Sequence, residues 1–341
     1  MATIDLRSDT ITKPTKSMLE AMMSAEVGDD VFGDDPTVNA LQRKVADLFG
    51  MEDSLYCPSG TMTNQIAMRI NTQPQDEVIC HKYSHVYLYE GGGMMYNSML
   101  SPKLLEGEKG QIASEQIIES INPDDIHFPK TRLVVLENSM NKGGGSTYDL
   151  DEIEKISQAC KDHQLQLHLD GARLFNAIVK NREDPSRYGA YFDTISLCFS
   201  KGLGAPVGSV LIGSRERVNH ARRVRKVFGG GMRQVGYLAA ACIYALDHHV
   251  ERLTEDHQRA KSIGELLKEH PAVHSVYPVE TNIVIAQLTE GSDEKDFLAK
   301  LESAGILAVG FGKGLVRFVT HLDFDDHMLD VFQQRLRKIS L

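Results

Sequence analysis

The 341-residue chain contains no tryptophan and only five cysteines, which are Cys57, Cys80, Cys160, Cys198 and Cys242. The number is odd and no C-x-x-C pair occurs, so neither a disulfide framework nor a zinc site is predicted. We therefore expect buried, reduced thiols, as in a cytoplasmic protein, and no bound metal.

Long apolar runs and an excess of basic charge are also absent. The longest apolar stretch, YLAAACIYAL at 237–246, is too short to span a bilayer, and the polar MATIDLRSDT at the N-terminus lacks the apolar core of a secretory signal. The 37 Lys and Arg residues stand against 47 Asp and Glu, which gives a formal net charge of −10. Because phosphate backbones attract basic surfaces, we expect neither a nucleic acid nor a membrane as a partner.

The chain does contain short strand-like runs that alternate with helical segments. The runs in the first two thirds of the chain are 54–57, 77–80, 132–138, 165–170, 194–200 and 209–213. This alternation indicates an α/β fold, with a mostly parallel sheet and helices on both faces. After KEHP at 268–271 the pattern becomes that of a small α+β unit. We therefore predict a large domain at 1–270, including the N-terminal segment, and a small domain at 271–341.

Polar residues follow four of the predicted strands. Lys201 lies between the apolar SLCFS and a glycine-rich turn, Asp170 ends LQLHLD, and His85 follows EVIC. Gly60 and Thr61 open a helix directly after a strand, where backbone N–H groups suit a phosphate. Each residue alone also fits a structural role, such as a surface lysine, a helix cap or a packed histidine. Open parallel sheets bind ligands beyond the carboxyl ends of their strands, so all four positions should share one rim.

An amine, an acid, an imidazole and an anion cradle together are the groups that pyridoxal phosphate requires. Its aldehyde condenses with a lysine amine, its pyridine nitrogen needs an anionic partner, and its phosphate suits a helix N-terminus. A Rossmann nucleotide site is the competing interpretation. However, GLGAPVG at 202–208 does not fit G-x-G-x-x-G and leads into a strand instead of a helix.

Six segments spread over nearly the whole chain carry a family resemblance. They are IDLRSDTITKPT (4–15), VGDDVFGDDPTVNALQ (27–42), HLDGARLFNA (168–177), SKGLGAPVGS (200–209), GGGMRQ (229–234) and VRFVTHLD (316–323). In these segments the sequence resembles the L-threonine aldolases, pyridoxal-phosphate enzymes of the aspartate-aminotransferase-like fold (fold type I). The first two segments are the most specific. One departure is ENSMNKGGG at 137–145, where the family often has E-N-T-H-N and this chain has Met140 in place of the histidine.

The resemblance implies reversible cleavage of a β-hydroxy-α-amino acid, such as threonine or allo-threonine, to glycine and an aldehyde. It implies that Ser200 and Lys201 lie at the cofactor, with the lysine bonded to it. By the same resemblance, Asp170 pairs with the pyridine nitrogen and His85 stacks on the ring, while Gly60 and Thr61 hold the phosphate.

The resemblance also implies a substrate-carboxylate site made of Ser8, Arg173 and Arg317, with Arg173 close to the cofactor as well. A bidentate arginine suits this task because it fixes the torsion about the scissile bond. His85 and His127 are the candidates for the base that takes the proton of the β-hydroxyl. His85 is favoured for ring stacking and for a direct or water-mediated role in proton transfer, and His127 for positioning the hydroxyl. The sequence leaves open whether His85, His127 or a water is the base.

The basic segment at 215–234 points to assembly. By resemblance, Lys226 and Arg233 lie near the cofactor phosphate, and at least one of them reaches it from a neighbouring subunit. A dianionic phosphate held only by one helix end would be under-compensated, so additional cations make physical sense. We therefore predict a homodimer or homotetramer with sites shared between subunits.

Two alternatives differ from the aldolase interpretation. The first is another fold type I reaction on a small amino acid, namely β-elimination, transamination or racemisation. The second is a non-enzymatic scaffold that keeps the fold, against which the intact Lys201, Asp170 and His85 argue.

Overall fold

The computed structural model describes residues 3–339. The strands are β1 Ile4–Asp5, β2 Asp53–Cys57, β3 Glu77–His81, β4 Ser101–Leu105, β5 Thr131–Glu137, β6 Gln166–Gly171, β7 Thr194–Cys198, β8 Ser209–Gly213, β9 Val273–Val276, β10 Ile283–Leu288, β11 Ile306–Leu307, β12 Val309–Gly312 and β13 Leu315–Val319. The α-helices are α1 Lys16–Met23, α2 Pro36–Leu48, α3 Gly60–Asn71, α4 His85–Leu88, α5 Gly93–Ser98, α6 Ser114–Glu119, α7 Leu150–Asp162, α8 Leu174–Asn181, α9 Pro185–Tyr191, α10 Arg215–Val227, α11 Gly236–His248, α12 Leu253–Lys268, α13 Glu294–Ser303 and α14 Asp326–Leu336. Within this described range, none of the helices is both long and apolar enough to cross a membrane.

A seven-stranded sheet forms the centre of the molecule, in the order β2-β8-β7-β6-β5-β3-β4. All neighbours are parallel except β8, which runs antiparallel to both β2 and β7. The predicted mostly parallel sheet is therefore confirmed. The apolar pattern does not predict β4, because this edge strand is largely exposed and contains Pro102.

Helices cover both faces of this sheet. On β2, Tyr56 and Leu55 belong to two different apolar clusters, and on β8 the adjacent Val210 and Leu211 divide in the same way. Because successive strand side chains point to opposite faces, these two clusters are the two faces of the sheet. Each face is packed, as the continuous apolar runs predict.

A second, antiparallel sheet has the order β12-β13-β10-β9. Its apolar cluster includes Val284 and Phe318 of the sheet, Ile263 of α12, and Ile4 and Leu6 near the N-terminus. The N-terminal segment therefore shares a core with the C-terminal sheet. No structural boundary settles where one domain ends, so the division at residue 270 stays a prediction.

The N-terminal segment is held against the C-terminal part of the chain by backbone pairing. Strand β1 pairs in parallel with β11, and Val319 N–H donates to the Leu6 carbonyl at 2.8 Å. This pairing directs the following residues towards the carboxyl edge of the large sheet, where Ser8 lines the cavity described below and Asp9 binds Arg173.

The Asp35 carboxylate fixes the start of α2 by hydrogen bonds to three backbone N–H groups. This fully buried carboxylate accepts the backbone N–H groups of Val38 at 3.0 Å, Gly28 at 3.2 Å and Gly236 at 2.9 Å. The residue is thus more than the helix cap that the Asp-Pro pair predicts, because it ties three segments together.

Asp35→Ala should lower the free energy of unfolding by about 3 kcal/mol, since three buried donors lose their acceptor. Urea unfolding at one fixed protein concentration measures the change. The exposed neighbour provides a matched control, because Asp34→Ala makes the same truncation one residue earlier. Equal unfolding midpoints for the two variants would contradict the role assigned to Asp35.

Candidate active site

The carboxyl ends of the parallel strands gather the predicted chemical groups. Glu137 at the end of β5 lies directly beside Asp170 near the end of β6 in the strand register. His85 follows β3, and Lys201 follows β7 by three residues. The four side chains therefore belong to one rim of the sheet, as the strand pattern predicts.

Asp170 is 2% exposed, and hydrogen-bond donors contact both oxygens of its carboxylate. Its Oδ1 accepts the N–H of Ala172 at 3.1 Å, and its Oδ2 accepts Asn64 Nδ2 at 2.9 Å. His168 fixes Asn64 in turn, because burial lowers the pKa of this histidine to about 4 and keeps its ring neutral. The ring donates from Nε2 to Asn64 Oδ1 at 3.1 Å and accepts the Thr194 hydroxyl at Nδ1 at 2.9 Å. Asp170 thus presents a rigid, buried negative charge.

A cavity of about 400 Å³ opens above this edge. Five of the predicted site residues line it, namely Ser8, His85, Arg173, Lys201 and Arg317. Within residues 3–339, the Lys201 amine makes no hydrogen bond or ion pair. A half-buried primary amine without a partner at the end of a core strand is available for covalent chemistry.

The predicted anion cradle is the N-terminus of α3. Ser59 caps this helix by accepting the Met62 N–H at 3.2 Å, and Thr61 is exposed at the first turn. A side chain at Gly60 would collide with Cys198 Sγ, so only glycine lets the backbone lie this close to the end of β7. The helix end therefore has open N–H groups and room for an anion.

The two predicted substrate arginines differ in how their charges are balanced. Arg173 is buried and bidentate to Asp9, with Nε and Nη2 at 2.8 and 2.7 Å from its two oxygens. Arg317 donates only to neutral oxygens, those of the Asn141 amide at 2.8 Å and the Arg7 carbonyl at 2.9 Å. Burial, followed by the charge of Arg173, lowers the pKa of Arg317 to about 10. Its buried Nε has no hydrogen-bond partner in the described part of the chain, so Arg317 is the under-neutralised cation of the cavity.

Buried carboxylates surround His85. Glu137 accepts the His85 backbone N–H at 2.8 Å, and Glu90 contacts the ring Nδ1 at 3.0 Å. Burial lowers the pKa of His85, but the hydrogen bond to Glu90 and the charges of Asp170, Glu90 and Glu137 outweigh it and raise the pKa above its usual value. Burial and the adjacent Asp170 raise the pKa of Glu137 to about 7.

Three predicted residues lie away from this cavity in their own chain. The His127 side chain is 79% exposed, pairs with Asp125 at 2.6 Å, and lies in the loop before β5, at the opposite edge of the sheet from His85. Lys226 is exposed near the end of α10, and Arg233 is exposed and paired with Asp29 at 2.9 Å. The structure thus brings together the predicted groups of the cavity but not these three.

The structure adds residues that the motifs do not single out. Glu137 has the same signal as Asp170, an acidic residue ending an apolar strand, and the strand-end argument could have found it. Asn64 and Glu90 carry no comparable signal, since an amide inside a helix and an acid before three glycines usually belong to a solvated surface.

Met140, the departure from the family pattern, is fully buried. The Met140 side chain leaves no space for a side chain at Gly110.

A larger groove of about 1110 Å³ lies elsewhere, between α2, α8 and α11. Its charged Lys44 and Asp247 pair with each other at 2.6 Å. The groove also contains His248 and further acids, but none of the predicted site residues lines it, so the smaller cavity is the chemical site.

An unpaired lysine, a buried aspartate, a histidine and a helix N-terminus at the carboxyl edge of this sheet define the class, a pyridoxal-phosphate enzyme of fold type I. Comparisons agree, since residues 5–290 match the family described as beta-eliminating lyase. The chain is 41% identical over 327 residues to the low-specificity L-threonine aldolase of Escherichia coli K12, covering 96% of each protein. It is 40% identical to the probable low-specificity L-threonine aldolase 2 of Arabidopsis thaliana, covering 95% of this chain and 93% of the relative.

A solved structure shows the same fold. The threonine aldolase of Leishmania major superposes with a TM-score of 0.86 at 20% identity, covering 98% of this chain and 99% of that one. The chain belongs to the L-threonine aldolases within the beta-eliminating lyase family.

The Asp9–Arg173 pair gives a prediction about stability. Burial alone would raise the pKa of Asp9, but the charge and hydrogen bonds of Arg173, together with the charge of Lys201, lower it to about 2. Asp9→Ala should lower the free energy of unfolding by about 3–5 kcal/mol at pH 7, because it leaves the buried Arg173 without its counter-charge. Urea unfolding measures this change.

Asp5→Ala is the control, since the Asp5–Arg7 pair is partly exposed and should contribute less than about 1 kcal/mol. The folded-state pKa of Asp9 lies below its ordinary value of 3.8. Its contribution is therefore present above about pH 4 and lost as the pH falls towards 2. A similar loss for both variants at pH 7 would refute the assignment.

Proposed function

We propose that this protein cleaves L-threonine, L-allo-threonine and related β-hydroxy-α-amino acids to glycine and an aldehyde by breaking the Cα–Cβ bond. The observation that carries the proposal is that Lys201, His85 and Arg317 line one cavity beside the buried Asp170. These groups can bind an amino acid by its carboxylate, hold its amine near a reactive lysine, and take a proton from its hydroxyl.

The donor set of the site fits pyridoxal phosphate. Asp170 is a buried anion that can pair with a protonated ring nitrogen, the unpartnered Lys201 amine suits the aldehyde, and the open N-terminus of α3 at Gly60 and Thr61 suits the phosphate. When bound, pyridoxal phosphate supplies an aldehyde for an amine and a ring that accepts the electrons of the broken bond. Asp170 strengthens this capacity by keeping the ring nitrogen protonated.

Arg317 is the anchor that we assign to the substrate carboxylate. It is the arginine of the cavity that lacks a counter-charge, whereas Arg173 is already paired with both oxygens of Asp9. Ser8 lines the same wall and can donate its hydroxyl to the carboxylate. Two fixed contacts at the carboxylate set the torsion about Cα, which selects the bond that breaks.

His85 is the residue that we assign to the proton of the β-hydroxyl. Its ring lines the cavity and carries a hydrogen-bonded carboxylate on Nδ1. His127 could serve only the cavity of a second chain, because it lies at the opposite edge of its own sheet. Its predicted part in positioning the hydroxyl stays a prediction that depends on assembly.

We further propose a homodimer or homotetramer in the cytoplasm, with Lys226 and Arg233 close to the cofactor phosphate of a shared site. The exposure of both cations supports this assembly, because exposed side chains can contact another chain. Exposed apolar side chains at Tyr96, Ile126 and Val227, of which Ile126 is 98% exposed, also favour contact with a second copy. The five buried free cysteines support a reducing compartment.

Lys201→Ala should abolish turnover and remove the lysine adduct that borohydride traps in the wild type. Threonine is supplied, and aldehyde, glycine and 2-oxo acid are measured separately. Aldehyde and glycine in equal amounts support the aldolase, whereas oxo acid alone would indicate β-elimination or transamination. Full turnover by the variant, or a trapped adduct on another lysine, would refute the role of Lys201.

The shared site gives a separate prediction. Lys201→Ala and Lys226→Ala, each inactive alone, should recover part of the activity when they are refolded together, because a mixed dimer can assemble one site free of both changes. In the control mixture, Lys313→Ala replaces Lys226→Ala. The activity of this mixture should not exceed the activity that its two variants show when they are not mixed. No recovery in verified mixed dimers, or a fully active monomer, would rule out the arrangement.

A further inference from the structure

Glu90 is a buried acid that the proposed reaction does not yet use. It follows α4, five residues after His85, and its side chain is fully shielded from solvent. One oxygen, Oε1, contacts His85 Nδ1 at 3.0 Å and Asn64 Nδ2 at 2.8 Å. The other, Oε2, accepts Gln65 Nε2 at 2.6 Å. Every contact of this carboxylate is therefore with a nitrogen.

The surroundings of Glu90 determine which ring nitrogen of His85 carries the proton. An ionised carboxylate can only accept hydrogen bonds, so His85 must donate from Nδ1. In the neutral ring, Nε2 then carries the lone pair, and it has no hydrogen-bond partner within the described range. Because the ring lines the cavity, Nε2 is the nitrogen available to a substrate hydroxyl.

Asn64 joins this pair to the opposite side of the site. Its amide nitrogen has two hydrogens, and the structure gives them two carboxylate acceptors, Glu90 at 2.8 Å and Asp170 at 2.9 Å. Its carbonyl is held by His168. One ligand atom from each of His85, Glu90 and Asp170 lies within 4.8 Å of the others. The imidazole and the aspartate are therefore fixed relative to each other through one amide.

We propose that Glu90 is a positioning residue that holds His85 as the Nδ1–H tautomer and, through Asn64, aligns the His85 ring with Asp170, so that Nε2 accepts the proton of the substrate's β-hydroxyl. This inference rests on the proposed function, because it assigns the proton acceptor of that reaction. In the step itself, the hydroxyl O–H bond breaks, its proton passes to Nε2, and its electrons form the aldehyde C=O as the Cα–Cβ bond breaks. The electron pair of the Cα–Cβ bond would stay on Cα, where the bound cofactor would accept it. Glu90 gains and loses nothing.

Glu90→Gln keeps the size of the side chain but removes its charge and one acceptor. A single amide oxygen would then face three donors, and the amide nitrogen would compete for Nδ1. The other charges facing His85 remain, which are the acids Asp170 and Glu137 and the cavity cations Lys201, Arg173, Lys142 and Arg317. The pKa of His85 should fall in the variant, because the Glu90 hydrogen bond and charge raise it in the wild type.

Two measurements test the proposal. Diethyl pyrocarbonate acylates only unprotonated imidazole, so its reaction at His85, quantified by peptide mass spectrometry against pH, reports the protonation of the ring. It is applied to the full-length protein with and without its cofactor, and the exposed His327, which has no proposed role at the site, serves as an internal reference. The second measurement is kcat and KM for threonine across the same pH range.

In Glu90→Gln, His85 should react at lower pH than in the wild type, while His327 reacts as before. We expect kcat to fall about 100-fold with KM nearly unchanged, and its acidic limb to move to lower pH. Glu90→Asp keeps the negative charge but places it farther from Nδ1. In this variant the His85 reaction profile and kcat should therefore lie between those of Glu90→Gln and the wild type. Glu106→Gln is the matched control, since it removes an exposed acid paired with Lys82 and should leave both measurements unchanged.

An unchanged His85 profile in Glu90→Gln overturns the proposal, even if kcat falls, because Glu90 would then act only on packing. A shifted profile with wild-type kcat overturns it as well. If Glu90→Gln does not fold, Glu90→Asp decides by the same two criteria. Failure of the proposed function is seen separately, because wild-type protein would then release no aldehyde while its His85 profile could still be measured.

Discussion

The strand register that places Glu137 beside Asp170 is the constraint on which the rest of the site depends. Two carboxylates at adjacent strand ends, with Glu90 close by, put three acids in a buried region where an unpaired charge is very costly. The structure meets this constraint in different ways. The carboxylates of Asp170 and Glu90 accept hydrogen bonds from amide and imidazole groups, whereas burial and Asp170 raise the pKa of Glu137 to about 7. A protonated ring nitrogen beside Asp170 would reduce the repulsion among these three acids. This explains why hydrogen bonds hold the Asp170 carboxylate firmly in place.

The substrate end of the cavity depends on contacts between distant parts of the chain. Asp9 lies near the N-terminus, Arg173 follows β6, and Arg317 lies on β13, yet Asp9 binds Arg173 and also accepts Asn282 Nδ2 at 3.2 Å. The core that the N-terminal segment shares with the C-terminal sheet therefore holds the cations in place. Packing of the second sheet and recognition of a carboxylate are two consequences of one set of contacts.

The strand pattern predicts much of this arrangement because its signals are local. Asp170 and Lys201 stand directly after buried apolar runs, and parallel strands necessarily bring such ends to one edge. Asn64 and Glu90 could not be predicted, since their roles arise only when α3 packs beside β6 and the turn after α4 folds back on it. The family resemblance names His127, Lys226 and Arg233, whose positions in a single chain do not reach the cavity. Their roles depend on contacts between chains, which no local pattern encodes.

The distribution of charge gives a dipolar substrate one orientation. Arg317 and Lys142 lie on the side of the cavity formed by β12 and β13, where the Lys142 amine stands 3.6 Å from the Phe311 ring centroid, and the buried acids lie on the side of the large sheet. A carboxylate is therefore drawn towards the arginine and away from Asp170 and Glu137. With the carboxylate held there and the amine at Lys201, two of the substituents on Cα are fixed, and the third heavy-atom substituent is the carbon that bears the hydroxyl. Because His85 lines the same cavity with Nε2 unpartnered in the described structure, the proton that must leave for Cα–Cβ cleavage faces an imidazole nitrogen whose ring Glu90 orients.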